Sequence, residues 1–247
     1  MSEEASDPQP QPTPWLRGGS YEQTYLILAG LFIAALVACN LIFQKFFTVE
    51  IPLPWGGSRT LSQSVGIIAY PLTFLVTDIL SEIYGAKRAN QVVVAGLVAS
   101  VFTTVLVELA DIAPSAPFGI GDETFHQVFG LSKVAVFASM AAYLTAQFID
   151  IRLFHFWRKL THGKHLWLRN NGSTIASQLV DTFVVLALLA SFGAAGITWE
   201  VVPRLFLDGL IFKWTFAALD TPLFYLAVYV LERRFPEQVA ALREDEG

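Results

Sequence analysis

YPLTFLVTDILSEIYGAKRA, residues 70–89, is the stretch that decides how this chain folds. It begins as an apolar helix, then carries Asp78 and Glu82 one turn apart among apolar or small residues, and Lys87 and Arg88 follow. An ionised residue inside a membrane span costs about 2.5–3.5 kcal/mol on insertion scales. Such residues are tolerated when they face the interior of a helix bundle, so the segment reads as a membrane helix with an inward polar face.

The rest of the chain supports that reading. It has 247 residues, 54% of them hydrophobic and 15% charged, and a mean hydropathy of +0.52. Soluble domains hold about 25% charged residues. The net charge of −5 gives no basic face for nucleic acid. Much of the acid sits in the end segments, at Glu3, Glu4 and Asp7 and at Glu244, Asp245 and Glu246. The single cysteine, Cys39, can form no intrachain disulfide and is expected to pack.

A bilayer core takes about 20 mostly apolar residues per helix. Six such spans are expected, at about 23–43, 64–84, 90–109, 132–151, 173–192 and 205–231. The fold class expected is therefore all-α, a polytopic six-helix membrane bundle. Residues 1–20, rich in Pro, Gln and acids, read as a disordered tail. Residues 21–234 form the membrane domain and 235–247 an acidic C-terminal tail. Of the 16 Lys and Arg, 11 fall on one side of these spans, four on the other, and Lys213 within the sixth. Positive charge favours the cytoplasm, which puts both termini there, in a bacterial inner membrane. The long connection at 111–131, DIAPSAPFGIGDETFHQVFGL, then lies outside as a surface loop or a lid.

Polar residues within the spans are the candidate site. Pro71, Phe74, Leu75, Asp78 and Glu82 share one helical face. Asp78 lies nine residues, roughly 13 Å along a helix, from Lys87. Glu82 is nearer that boundary, with Arg88 as an available partner. Tyr143, Gln147 and Asp150 recur at i, i+4 and i+7, with Arg152 beside the acid. Thr174, Ser177, Gln178 and Asp181 make a polar stripe in the fifth span. In the sixth, Lys213, Ala217 and Asp220 share a face, and Asp220-Thr221-Pro222 suggests a helix break of the kind carriers place near the midplane. Asp78, Asp181 and Asp220 fall at similar depth, with Lys213 as the available counter-ion to one of them. Three such acids cannot all stay ionised against one lysine, so one is expected to hold a proton, a candidate coupling proton. His155, His162 and His165 lie in a basic loop and read as solvated rather than as a metal site. The sequence carries no HExxH, GxSxG, Walker A or CxxC motif, so an enzyme reading has no reactive centre to rest on. No cofactor is expected.

Four segments in order, YPLTFLVTDILSEIYGAKRA, ASMAAYLTAQFIDIRLFHFWR, LWLRNNGSTIASQLVDT and FKWTFAALDTPLFYL, resemble the queuosine precursor transporter family, also classed as vitamin uptake transporters. The resemblance covers about residues 23–232. It implies six helices and import of 7-cyano-7-deazaguanine and its 7-aminomethyl relative for salvage into tRNA queuosine. Lys133 departs from the arginine expected in that family. The residue chemistry fits such a substrate independently. A carboxylate can accept the adjacent N–H and amino donors of a guanine-like edge, Gln147 or Gln178 can read the carbonyl side, and Phe74, Trp214 or Phe216 can stack on the ring. Expected partners are a 7-deazapurine, the lipid bilayer and a coupling proton, with homodimerisation left open. The alternatives are a substrate-binding subunit of an energised complex, a carrier of another vitamin-like heterocycle, or a membrane scaffold without transport activity.

Overall fold

A computed structural model describes residues 19–43, 45–52, 57–130, 133–193 and 197–245. The expected disordered tail falls almost wholly at 1–18, outside the described residues, as does the side chain of Lys133. The elements in order are α1 (Gly19–Ile42), β1 (Phe46–Pro52), β2 (Ser58–Ser64), a 3-10 turn (Val65–Ile68), α2 (Tyr70–Ile112), α3 (Asp122–Phe129), α4 (Lys133–Leu160), α5 (Leu166–Ser191), α6 (Val202–Arg234) and α7 (Pro236–Asp245).

The chain is mostly helical but not all-α. β1 and β2 form an antiparallel hairpin in register from Phe46 opposite Ser64 to Pro52 opposite Ser58. Phe46, Phe47, Thr48, Val49 and Ile51 are β-branched or aromatic residues that suit a pleated surface, in a segment too short to read as a span. The connection at 111–131 contains α3, beside which Asp111 meets His126 at 2.6 Å. Residues expected as a C-terminal tail instead form α7, which buries Val239 against the bundle just after the buried Phe235.

Among the described residues, four helical segments are long and apolar enough to cross a membrane: Ser20–Ile42, Val65–Ile112, Leu166–Ser191 and Val202–Arg234. α4 has 28 residues, but Asp150, Arg152, Arg158 and Lys159 make its second half polar. α2 has 43 residues, about twice a single crossing, and Gly85 divides it at φ 82°, ψ 165°. That backbone region is essentially closed to residues with a Cβ. The chain reverses there, as contacts with α1 demonstrate. In the first leg, Tyr84 stacks on Tyr21 at 4.4 Å, while Tyr70 lies beside Cys39 and Asn40. In the second, Arg88 holds Glu22 at 2.7 Å, and Ser100 accepts from Asn40 at 3.3 Å. The first leg thus runs against α1 and the second runs with it. Between them Gly96 lets the helices close, because a Cβ there would lie 2.6 Å from the Phe32 ring.

The packing is inverted relative to a soluble protein. Large apolar residues such as Val98, Phe102, Leu106, Phe183 and Leu226 are exposed, whereas Thr73, Thr77, Asp78, Glu82, Gln147 and Asp150 are buried. An exposed apolar surface of this extent marks contact with lipid, and buried ionisable groups face the bundle interior. The bundle has a hairpin end, where the β strands lie, and an arginine end, where Arg88, Arg169 and Arg243 gather.

Candidate functional site

The buried polar residues form a column with three levels. Uppermost is a cavity of about 520 Å³ toward the hairpin end. The polar stripe of α5 and the first half of α6 bring Asp181, Thr182 and Lys213 to its wall, and Tyr70, Tyr143, Asn40 and Ser100 line it too. Lys213 Nζ donates to Asp181 Oδ2 at 2.5 Å and to Thr182 Oγ1 at 3.0 Å. It also lies 4.7 Å from the centre of the Tyr70 ring. Asp181 is therefore the acid that takes the lysine.

One to two turns deeper are two carboxyl groups with no cation beside them among the described residues. Asp78 from α2 and Asp150 from α4 are in side-chain hydrogen-bonding contact. Thr174 donates to Asp78 Oδ2 at 3.3 Å and Ser177 to Asp150 Oδ1 at 2.9 Å. Asp78 Oδ1 and Asp150 Oδ2 receive no protein donor among the described residues. Two carboxyl groups in such contact repel each other when both are ionised, and a proton on either one relieves that repulsion. Thr77 donates to Gln147 Oε1 at 3.1 Å just above, and Gln147 Nε2 has no protein acceptor among the described residues. A narrow cleft beside the pair is lined by Phe74, Asp78, Asn170, Gln178 and Asp220.

The third level closes the arginine end. Glu82 is wholly buried and meets Arg169 at 2.9 Å and Arg243 at 3.2 Å. Arg243 belongs to α7 and also contacts Glu232 of α6, so α7 is fastened across this end of the column.

Several expectations are corrected. Glu82 does not pair with Arg88, which holds Glu22 at the outer face instead. Asp150 is not an interfacial partner of Arg152. It shares the buried face of Tyr143 and Gln147, while Arg152, two residues on, is turned outward and exposed. α6 is not interrupted at Asp220, for it continues through Pro222. Thr221 bonds to Ala217 O at 3.1 Å and pairs with Asn171 across to α5. Asp220 is half-buried at the cleft rather than in the cavity. Trp214 is 37% exposed and Phe216 stacks on Phe212 at 4.6 Å. Of the three candidate stacking rings, Phe74 lines the cleft, and Trp214 and Phe216 line neither cavity nor cleft. Cys39 packs as expected, buried at the cavity edge.

Tyr70, Asn40, Thr182, Arg169 and Arg243 join the column without having been expected there. Two carried a usable signal. Tyr70, Phe74 and Asp78 recur at four-residue spacing, as do Arg169, Ser173 and Ser177. Tyr70 thus continues the face of Phe74 and Asp78, and Arg169 the face of Ser177.

Apolar helices surround a polar column that is open to a cavity above and closed by ion pairs below, an arrangement suited to passing a small molecule across a membrane. Comparison with known proteins agrees. The family described as "Putative vitamin uptake transporter" matches residues 64–227. A "Probable queuosine precursor transporter" of Bacillus subtilis (strain 168) is 29% identical over 80% of this chain and 83% of its own length. The "Queuosine precursor transporter" of Escherichia coli (strain K12) is 25% identical over 62% of this chain and 65% of its own. No solved structure matches the chain significantly. The chain belongs to this family of membrane transporters.

Proposed function

We propose that this protein is a secondary carrier importing 7-deazaguanine bases, the precursors of tRNA queuosine, across a bacterial inner membrane. The observation that carries the reading is the cavity of about 520 Å³ with Asp181 and Lys213 side by side on its wall. Its size falls within the roughly 300–1,000 Å³ of small-molecule sites. A guanine edge presents a carbonyl oxygen next to an N–H and an amino group. Asp181 accepts from the two donors and Lys213 or Thr182 donates to the oxygen. Tyr70 and Tyr143 supply ring faces for stacking. The names of the relatives in B. subtilis and E. coli support the substrate class.

In this reading α1, the two legs of α2, α4, α5 and α6 make six crossings. α1 starts and α6 ends at the arginine end, so both termini are cytoplasmic under the positive-inside rule. The cavity then faces outward and the Glu82 cluster closes the inner side. Substrate moves inward past Gln147 and Gln178, and the Asp78–Asp150 pair carries the coupling proton, with Asp220 beside the path. The test is uptake by the purified chain in liposomes. Labelled 7-cyano-7-deazaguanine is expected to accumulate under an imposed proton gradient and to fall to passive equilibration when a protonophore collapses it. Accumulation indifferent to the protonophore overturns proton coupling. No uptake by the chain alone favours a subunit that needs a separate energising complex.

A further inference from the structure

Of the described residues lining the cavity, Asp181 and Lys213 alone carry charge, and they neutralise each other. The remaining acids are elsewhere. Asp78 and Asp220 line the narrow cleft, and Asp150 is buried behind Ser177. The wall that meets an entering base therefore has no spare negative charge. Lys213 is held from three sides, by Asp181, Thr182 and the face of Tyr70. The ring contact is the weakest of the three and the one a ligand oxygen replaces.

We propose that Lys213 is a specificity-determining residue that favours neutral 7-substituted deazaguanines over cationic ones. The inference rests on the transport reading above and on the stereochemistry of the base. In a 7-deazaguanine, the carbonyl oxygen and the 7-substituent project on the same side. With the donor edge on Asp181 and the oxygen on Lys213, the 7-substituent lies beside the ammonium group. A nitrile there offers an acceptor to the lysine. An aminomethyl group is a primary amine, protonated at neutral pH like a lysine side chain. It places a second positive charge against the first in a site screened from water, where charge interactions are strong.

Removal of Lys213 reverses this logic. Lys213→Met leaves Asp181 as an unneutralised carboxylate in reach of the 7-substituent, a partner for an ammonium group. Lys213→Met combined with Asp181→Asn leaves a wall with no charge.

The experiment is competition in proteoliposomes between labelled 7-cyano-7-deazaguanine and unlabelled 7-aminomethyl-7-deazaguanine, followed by direct uptake of each. The unaltered protein is expected to prefer the cyano base by at least about tenfold, the factor that 1.4 kcal/mol confers. Lys213→Met is expected to shift the ratio toward the aminomethyl base, and the double variant to bring it near one. Equal uptake of the two bases by the unaltered protein overturns the inference while leaving the transport reading intact. So does a ratio that Lys213→Met leaves unchanged. If Lys213→Met does not accumulate in the membrane, the ratio in the unaltered protein and in the double variant decides. Uptake of neither base overturns the transport reading and this inference with it.

Discussion

Asp78→Asn is expected to lower accumulation of 7-cyano-7-deazaguanine by at least about tenfold while leaving the amount of folded protein unchanged. The asymmetry follows from the geometry. An asparagine oxygen still accepts from Thr174, which lies 3.3 Å from Asp78 Oδ2. Its amide group can donate to Asp150, the role the shared proton fills in the unaltered pair. The packing and hydrogen bonds are thus retained, but position 78 can neither bind nor release a proton, nor offer a charged acceptor to substrate. Hydrogen bonds to charged groups contribute about 1.5–3 kcal/mol, or roughly ten- to a hundredfold in an equilibrium. Uptake into proteoliposomes, normalised to protein retained in the membrane, measures the effect. Transport within about twofold of the unaltered protein would assign Asp78 to holding helices together.

The second large effect is on stability. Arg169→Met is expected to destabilise the protein by about 3–5 kcal/mol, the range for breaking a buried ion pair by removing one partner. Glu82 is wholly buried and Arg169 nearly so, with 1% and 4% of their side chains exposed. Arg243 cannot replace Arg169, because its own side chain is 49% exposed and shared with Glu232. Combining Arg169→Met with Glu82→Met removes both charges and is expected to recover much of the loss, since a well-packed apolar pair is often as stable as a buried salt bridge. Chemical unfolding in detergent, followed by helical signal, checks both variants. A single variant within about 1 kcal/mol of the unaltered protein would show that Glu82 finds its compensation elsewhere.

Much of this arrangement was legible from residue spacing, because a helix returns to the same face about every fourth residue. The faces Thr174–Ser177–Gln178–Asp181 and Tyr143–Gln147–Asp150 could be drawn before any contact was known, and each is buried. Spacing along one helix does not determine which stripe meets which. The pairing of Lys213 with Asp181 rather than Asp220, and the contact of Asp78 with Asp150, depend on how four helices are rotated about their axes. Glu82 illustrates the same limit. Arg88 is near it in sequence, yet the reversal at Gly85 turns Arg88 to α1, and the actual partners are 87 and 161 residues away. The hairpin at 46–64 and α7 escaped notice for a different reason. Both lie outside the apolar runs that organise a membrane sequence, and each is short enough that local residue preference gives a weak signal.

The central claim is that this chain carries a queuosine precursor inward. Queuosine in tRNA reads it most directly, in a bacterial strain that can neither make the precursor nor import it. With this chain expressed and 7-cyano-7-deazaguanine supplied at low concentration, queuosine is predicted to return to the tRNA. Unmodified tRNA from cells that hold the protein in the membrane would contradict the assignment and leave the cavity to another ligand.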